Sequence, residues 1–221
     1  MDKLVPAFQE SLLEHPVNIA AEFLELGIDS VLENGLVKDI PILGTLVGVG
    51  KFAQNIHDRN LMRQTIAFLN EFNAGEIDER KLENYRYRIN HNPKIAEAEL
   101  GRVLILLNKN IDLVKSQYQA RFFHAYVNED ISWDIFCELC DIVDRLFISD
   151  INLLREAYES DGVDTGMPLS YKHDRLISNG LLTNEARLSG SIIMGDLDTI
   201  DSEKIMEITE IGKIFCKYIF D

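Results

Sequence analysis

Residues 40–52 read IPILGTLVGVGKF, three glycines set among apolar side chains in a chain of 221 residues whose formal charge is −15. Three readings compete for such a stretch: a membrane segment, a phosphate-binding loop, and the packing face of a buried helix. A membrane-spanning helix takes about 20 apolar residues, whereas here Lys51 interrupts the run and Lys38-Asp39 precede it. A phosphate loop needs a different glycine spacing, and no Ser or Thr follows Lys51 to hold magnesium. Gly44 and Gly48, by contrast, fall one turn apart on one face of a helix, where the missing Cβ lets a second helix approach closely. Each glycine costs roughly 1 kcal/mol of helix stability relative to alanine, so a compensating contact is expected. The spacing therefore predicts a Gly-rich apolar helix over 40–56 that opens at Pro41 and runs on toward residue 73, with Gly44, Gly48 and Gly50 at a close helix contact. The rival reading makes residues 17–55 an apolar hairpin that enters a membrane when released.

The same periodicity extends on both sides. Upstream, Ile19, Phe23, Leu26 and Val31 recur at helical spacing and give out at Asn34-Gly35. Downstream, Ile56, Met62, Ile66, Leu69 and Phe72 share an inward face until Asn73-Ala74-Gly75. A charged helix over 76–88 is broken at Asn92-Pro93. An apolar helix over 94–110, an aromatic one over 112–127 with Phe122, Phe123 and Tyr126, and one capped by Ser132 follow. About six helices on short connections make residues 1–160 an all-α bundle. The texture then changes. SYKHDRLISNG predicts a short helix ending at Asn179-Gly180, a strand starts near Leu181-Leu182, SIIM and KIMEIT predict a ribbon, and Thr209 opens a last helix to Phe220. With a helix over 151–159 placed first, this is the element order of a winged-helix-like α+β subdomain, residues 161–221. The fold class is thus mainly α, a multi-helix bundle with a small winged-helix-like tail.

Thirty-seven acidic against 22 basic side chains repel polyphosphate and anionic bilayers. The opening MDKLVPAFQESLLEHPVN carries acids and a proline where a signal peptide has a basic start and an apolar core, and three cysteines make no disulfide framework. A reducing cytoplasm is the expected compartment.

No nucleophile with a visible base appears, and no metal or cofactor motif is complete, so the chain is expected to be no enzyme and to carry no cofactor. Cys137-x-x-Cys140 lies inside an apolar helical pattern without a second ligand pair, and Cys216 has the same surroundings, so all three predict core filling. Glu138, Asp141 and Asp144 share one helix side with Asp150 following, which leaves two readings: a carboxylate-held cation or a solvated acidic face.

A DNA-binding winged helix would present Lys172, His173 and Arg175 to a groove. Residues 167–221, however, carry six Lys and Arg against nine Asp and Glu, a net of −3, and the wing GDLDTIDSE is acidic. Protein contact, with the acidic ribbon as a partner surface, is the expected use; nucleic acid is not.

The order of Ile40-Pro41-x-x-Gly44, the run GRVLILLNKNIDLVKSQYQARFFHAYVNEDISWDIFCEL and the ending ITEIGKIFCKYIF resembles bacterial and prophage-borne helical proteins, including those grouped as the abortive infection alpha type, across residues 38–221. The resemblance implies a cytosolic bacterial protein with a role in conflict with phage, or one carried by a mobile element, and gives no catalytic position to carry over. A looser similarity to tellurite-resistance-type helical domains covers residues 128–154, and the metal-binding carboxylates of that family have no matching residues here. The expected function is a non-enzymatic interaction or effector protein with a protein partner, self-association being compatible. The alternatives are a membrane-active effector, with contact conditional on release of 17–55, and a winged-helix DNA-binding regulator.

Overall fold

The computed structural model describes residues 3–14, 40–48, 56–159, 170–188 and 202–221, the side chains of 184–188 and 202–205 excepted. Among these are ten helices and one two-stranded antiparallel sheet. In chain order the helices are α1 (Leu4–Leu13), α2 (Pro41–Gly48), α3 (Ile56–Ala74), α4 (Glu79–His91), α5 (Pro93–Lys109), α6 (Leu113–Val127), α7 (Trp133–Arg145), α8 (Ile148–Glu159), α9 (Tyr171–Ser178) and α10 (Glu210–Phe220); β1 (Leu182–Leu188) and β2 (Ser202–Ile208) lie between the last two. The chain divides into two compact units, Met1–Cys140 and Asp141–Asp221, with the division inside α7.

Local chemistry accounts for most helix ends. Pro41 occupies the first turn of α2, and the Ile42 amide that the turn leaves over donates to Ser11 Oγ of α1 at 3.0 Å. Asp78 caps α4 by accepting from the amides of Arg80 and Lys81, and Pro93 starts α5 one residue after α4's cap at Asn92. Ser132 Oγ accepts from the Ile135 amide at 3.2 Å, which caps α7.

In the first unit the core lies where α3 packs on α6, with α1, α2, α4 and α5 around them. Phe123 is its hub: its ring centroid is 5.8 Å from Phe68, 5.8 Å from Phe72, 5.9 Å from Tyr85 and 5.4 Å from Phe136. Such tilted and edge-on pairs add roughly 0.5–1.5 kcal/mol each beyond their area burial. A polar network is buried beside them. Ser116 Oγ donates to Gln64 Oε1 at 2.7 Å, and Asn110 Nδ2 donates to Ser116 Oγ at 2.7 Å and to Gln119 Oε1 at 2.8 Å. Asn60 and Gln64 donate to the carbonyls of Asn110 and Ile111, so the α5–α6 turn is fastened to α3.

In the second unit α8 packs on α9 and α10, and α9 packs on β1. Asn179-Gly180 ends α9 as its residue types predict. Gly180 has φ +76°, and the Leu181 amide reaches back to the Leu176 carbonyl at 3.0 Å, a Schellman closure. Thr209 then ties the sheet to α10: its hydroxyl accepts from the Gly212 amide at 3.0 Å and donates to the Gly180 carbonyl at 2.5 Å.

Two expectations need correction and two lie outside the described residues. Among the described residues eight helices precede residue 160, where about six were expected. The ribbon's first strand is Leu182–Leu188, paired from Leu182 opposite Ile208 to Leu188 opposite Ser202; its central Thr183, Asn184, Glu185 and Arg187 hide it from an apolar-pattern reading. SIIM and the upstream helix of the 17–55 hairpin fall outside the described residues.

Candidate functional site

The glycine stretch forms a helix of eight residues that buries Ile42, Leu43 and Leu46 against its neighbours. These three branched side chains make its buried face. Gly44 is half-buried on α2, and Gly48 is exposed at its end, where a Cβ would meet nothing within 4 Å. The close contact expected at Gly48 is therefore absent among the described residues, because the apolar positions one turn apart already occupy the inward face. Gly50 lies outside the described residues.

In the second unit an ion pair joins α8 to α9. Asp150 sits in the first turn of α8, wholly buried at 0% exposure. Its Oδ2 accepts from the Phe147 amide at 2.8 Å, which closes the start of α8 as the acidic half of a capping box. Arg175 of α9 grips the same carboxylate with both arms, Nε to Oδ2 at 2.8 Å and Nη2 to Oδ1 at 2.7 Å. Burial pushes the Asp150 carboxyl up, but the Arg175 hydrogen bonds, the Phe147 amide and the charges of Arg175 and Lys172 outweigh it and hold the carboxyl below its ordinary range.

The guanidinium is stacked as well as paired. It lies 4.7 Å from the Phe147 ring centroid and 5.3 Å from that of Tyr171. Both rings remain open to solvent, Phe147 at 62% and Tyr171 at 68% exposure. Two neighbouring aromatic rings are thus braced on a single fixed cation.

This arrangement changes what the expected DNA contacts do. Arg175 is committed to Asp150. His173, 8% exposed, completes the capping box at the start of α9, its Nδ1 accepting from the Ser170 amide at 3.1 Å. Lys172 stays half-buried near the Asp150 carboxylate. Two of the three side chains expected to read a groove therefore hold the fold together.

The first unit holds a second charged cluster. Arg88 Nη1 and Nη2 bind Glu99 at 2.6 and 3.1 Å, Arg88 Nη2 donates to the Tyr126 hydroxyl at 2.6 Å, and that hydroxyl donates to Glu99 at 2.9 Å. Burial, then Glu99, push the Tyr126 phenol up to about 12, and burial drives the Tyr85 phenol well above its ordinary value. Neither phenol is a base at neutral pH. The cluster joins α4, α5 and α6.

Cys140 and Cys216 are buried and Cys137 half-buried; burial and then Asp221 push the Cys216 thiol up to about 12, where it is an inert packing group. Glu138, Asp141 and Asp144 are exposed along α7, and among the described residues no three His, Cys, Asp or Glu side chains are placed to hold a metal. No helix among the described residues is long and apolar enough to cross a membrane.

The aromatic pair on Arg175 is what residue patterning missed. Phe147 breaks the inward spacing of α7 at its end, and Tyr171 follows the Ser170 cap; only the pairing of Asp150 with Arg175, 25 residues apart, brings the two rings to one place. In comparisons with protein-family models, with curated proteins and with solved structures, nothing matches.

Proposed function

We propose that this protein acts by binding another protein, and that the rim formed by Phe147, Tyr171 and Arg175 is its contact surface. One observation carries the reading: two largely exposed aromatic rings flank a guanidinium held by a buried carboxylate. Interface hot spots are enriched in aromatic residues and arginine. A preorganised cation also lowers the entropy lost on association, because its rotamer is already fixed.

The order α8, α9, β1, β2, α10 supports a winged-helix-like subdomain that has exchanged groove reading for protein contact. The wider setting we propose, a bacterial effector in conflict with phage, draws its support from the resemblance in layout.

The test is co-purification from the native host with the full chain and with a Phe147→Ser/Tyr171→Ser variant whose helical content is checked by circular dichroism. The partner recovered with the parent chain is expected to bind the variant about 30-fold more weakly or worse, the loss of one hot spot of about 2 kcal/mol. Equal recovery by both chains overturns the assignment of this surface. Sedimentation of the purified chain separates the case in which the partner is a second copy.

A further inference from the structure

His124, in the last turn of α6, sits between α3 and the turn that follows it. Its ring stands edge-on to Phe72 of α3, with centroids 6.1 Å apart and planes at 68°. The opposite edge lies over Gly75, where a Cβ would overlap Nε2 and come within 2.7 Å of Cδ2. Gly75 is therefore the residue that makes room for the imidazole. Nε2 is buried and has no hydrogen-bond partner.

The turn over this seat, between α3 and α4, is fastened at its far side. Asn128 Oδ1 accepts from the Asp78 amide at 3.1 Å, the Lys81 ammonium donates to the Asn128 carbonyl, and Asn128 Nδ2 donates to Asp130 at 2.8 Å. At its near side the turn rests on the imidazole.

We propose that His124 is an acid-sensitive latch: the α3–α4 turn closes over a neutral imidazole, and a proton taken up by the ring opens it. The bond formed is N–H on the second ring nitrogen, with the proton supplied by solvent, and the cation it creates is confined between the Phe72 ring and the Gly75 backbone.

The surrounding charges have been weighed from each packed element. Asp130, beyond the end of α6, and the carbonyls of Gly75 and Glu76 favour the cation. Glu76 and Asp78 lie in the turn; Lys81 of α4 is paired with Asp130 at 3.8 Å; and Glu71 of α3 is neutralised by Arg121 of α6 at 2.6 Å. Burial outweighs the favourable groups and lowers the proton affinity of His124 below the ordinary histidine value. A folded value below the unfolded one means that the turn is fully held above about pH 6.5 and loses stability as pH falls through that value.

The experiment is a titration of the full-length chain by NMR between pH 7.5 and 4.5, following the imidazole resonances and the protection factor of the Asp78 amide. His124 is expected to titrate below the ordinary histidine value of about 6.5, and Asp78 protection to fall at least tenfold as it does so. In His124→Phe, where the ring is kept and the proton site removed, protection should not change over the same range. A His124 titration at or above about pH 6.5 overturns the proposal, as does protection that falls equally in the variant. If His124→Phe does not fold, the imidazole titration of the parent chain decides alone.

Discussion

Two glycines show what a missing Cβ does in this molecule. At Gly212 a Cβ would be driven into the Leu181 carbonyl and to 2.7 Å from Ile208 Cγ2, so α10 starts close against the open end of the sheet only because this side chain is absent. Gly212→Ala is expected to cost about 1–3 kcal/mol, the range for overpacking. Gly48 faces open space, and Gly48→Ala is expected to be neutral or to stabilise by up to about 1 kcal/mol through helix propensity. Chemical denaturation of the two variants checks both signs. Tyr126 gives a third residue-scale expectation. Its phenol ionises near 12 in the fold and near 10 in the unfolded chain, so its contribution is intact below pH 10 and is lost as pH rises from there toward 12. Tyr126→Phe should flatten that alkaline loss, read by thermal melts between pH 9 and 11.5.

At the scale of elements, the pairing of α3 with α6 combines an aromatic hub with a buried polar network, and the two fail differently. Phe123→Ala removes the ring that touches Phe68, Phe72, Tyr85 and Phe136, and should cost about 3–5 kcal/mol. Ser116→Ala removes few atoms, yet it leaves Gln64 Oε1 and Asn110 Nδ2 short of a buried partner, which costs about 1–3 kcal/mol. Replacing Gln64 as well by an apolar residue of similar shape removes the orphaned acceptor but also the donor to the Ile111 carbonyl, so the two losses should be non-additive without the double variant regaining the parent stability. A double-mutant cycle by urea unfolding measures the coupling.

For the molecule as a whole, charge is the dominant long-range term. A net −15 over 221 residues makes the folded chain repel itself. Raising ionic strength from about 0.01 M to about 0.15 M shortens the screening length from about 30 Å to about 8 Å. The melting temperature should rise over that range with chloride salts, before any specific salt effect enters. A melting temperature that falls would mean that attractive pairs such as Arg175 with Asp150 and Arg88 with Glu99 outweigh the net repulsion.

The helical character of the chain, several of its helix ends and its acidity were settled by the sequence alone, since each follows from interactions within a few residues. Pro41 and Pro93 lack an amide proton, Ser132 and Thr209 reach amides three residues on, and Gly180 accepts a positive φ without a Cβ clash. Tertiary structure alone decided that Arg175 grips Asp150, that Gly75 leaves space for His124, that Ser11 meets the Ile42 amide, and that a polar strand pairs with β2. Those partners stand 14 to 49 residues apart, and local preference carries no information about which of many compatible side chains packing will bring together. Gly48 had the spacing of a contact face, yet it stands open at the end of α2 while the bulky Ile42, Leu43 and Leu46 are buried, because burying a large apolar side chain is worth about 1.5–3 kcal/mol and burying a glycine gains almost nothing.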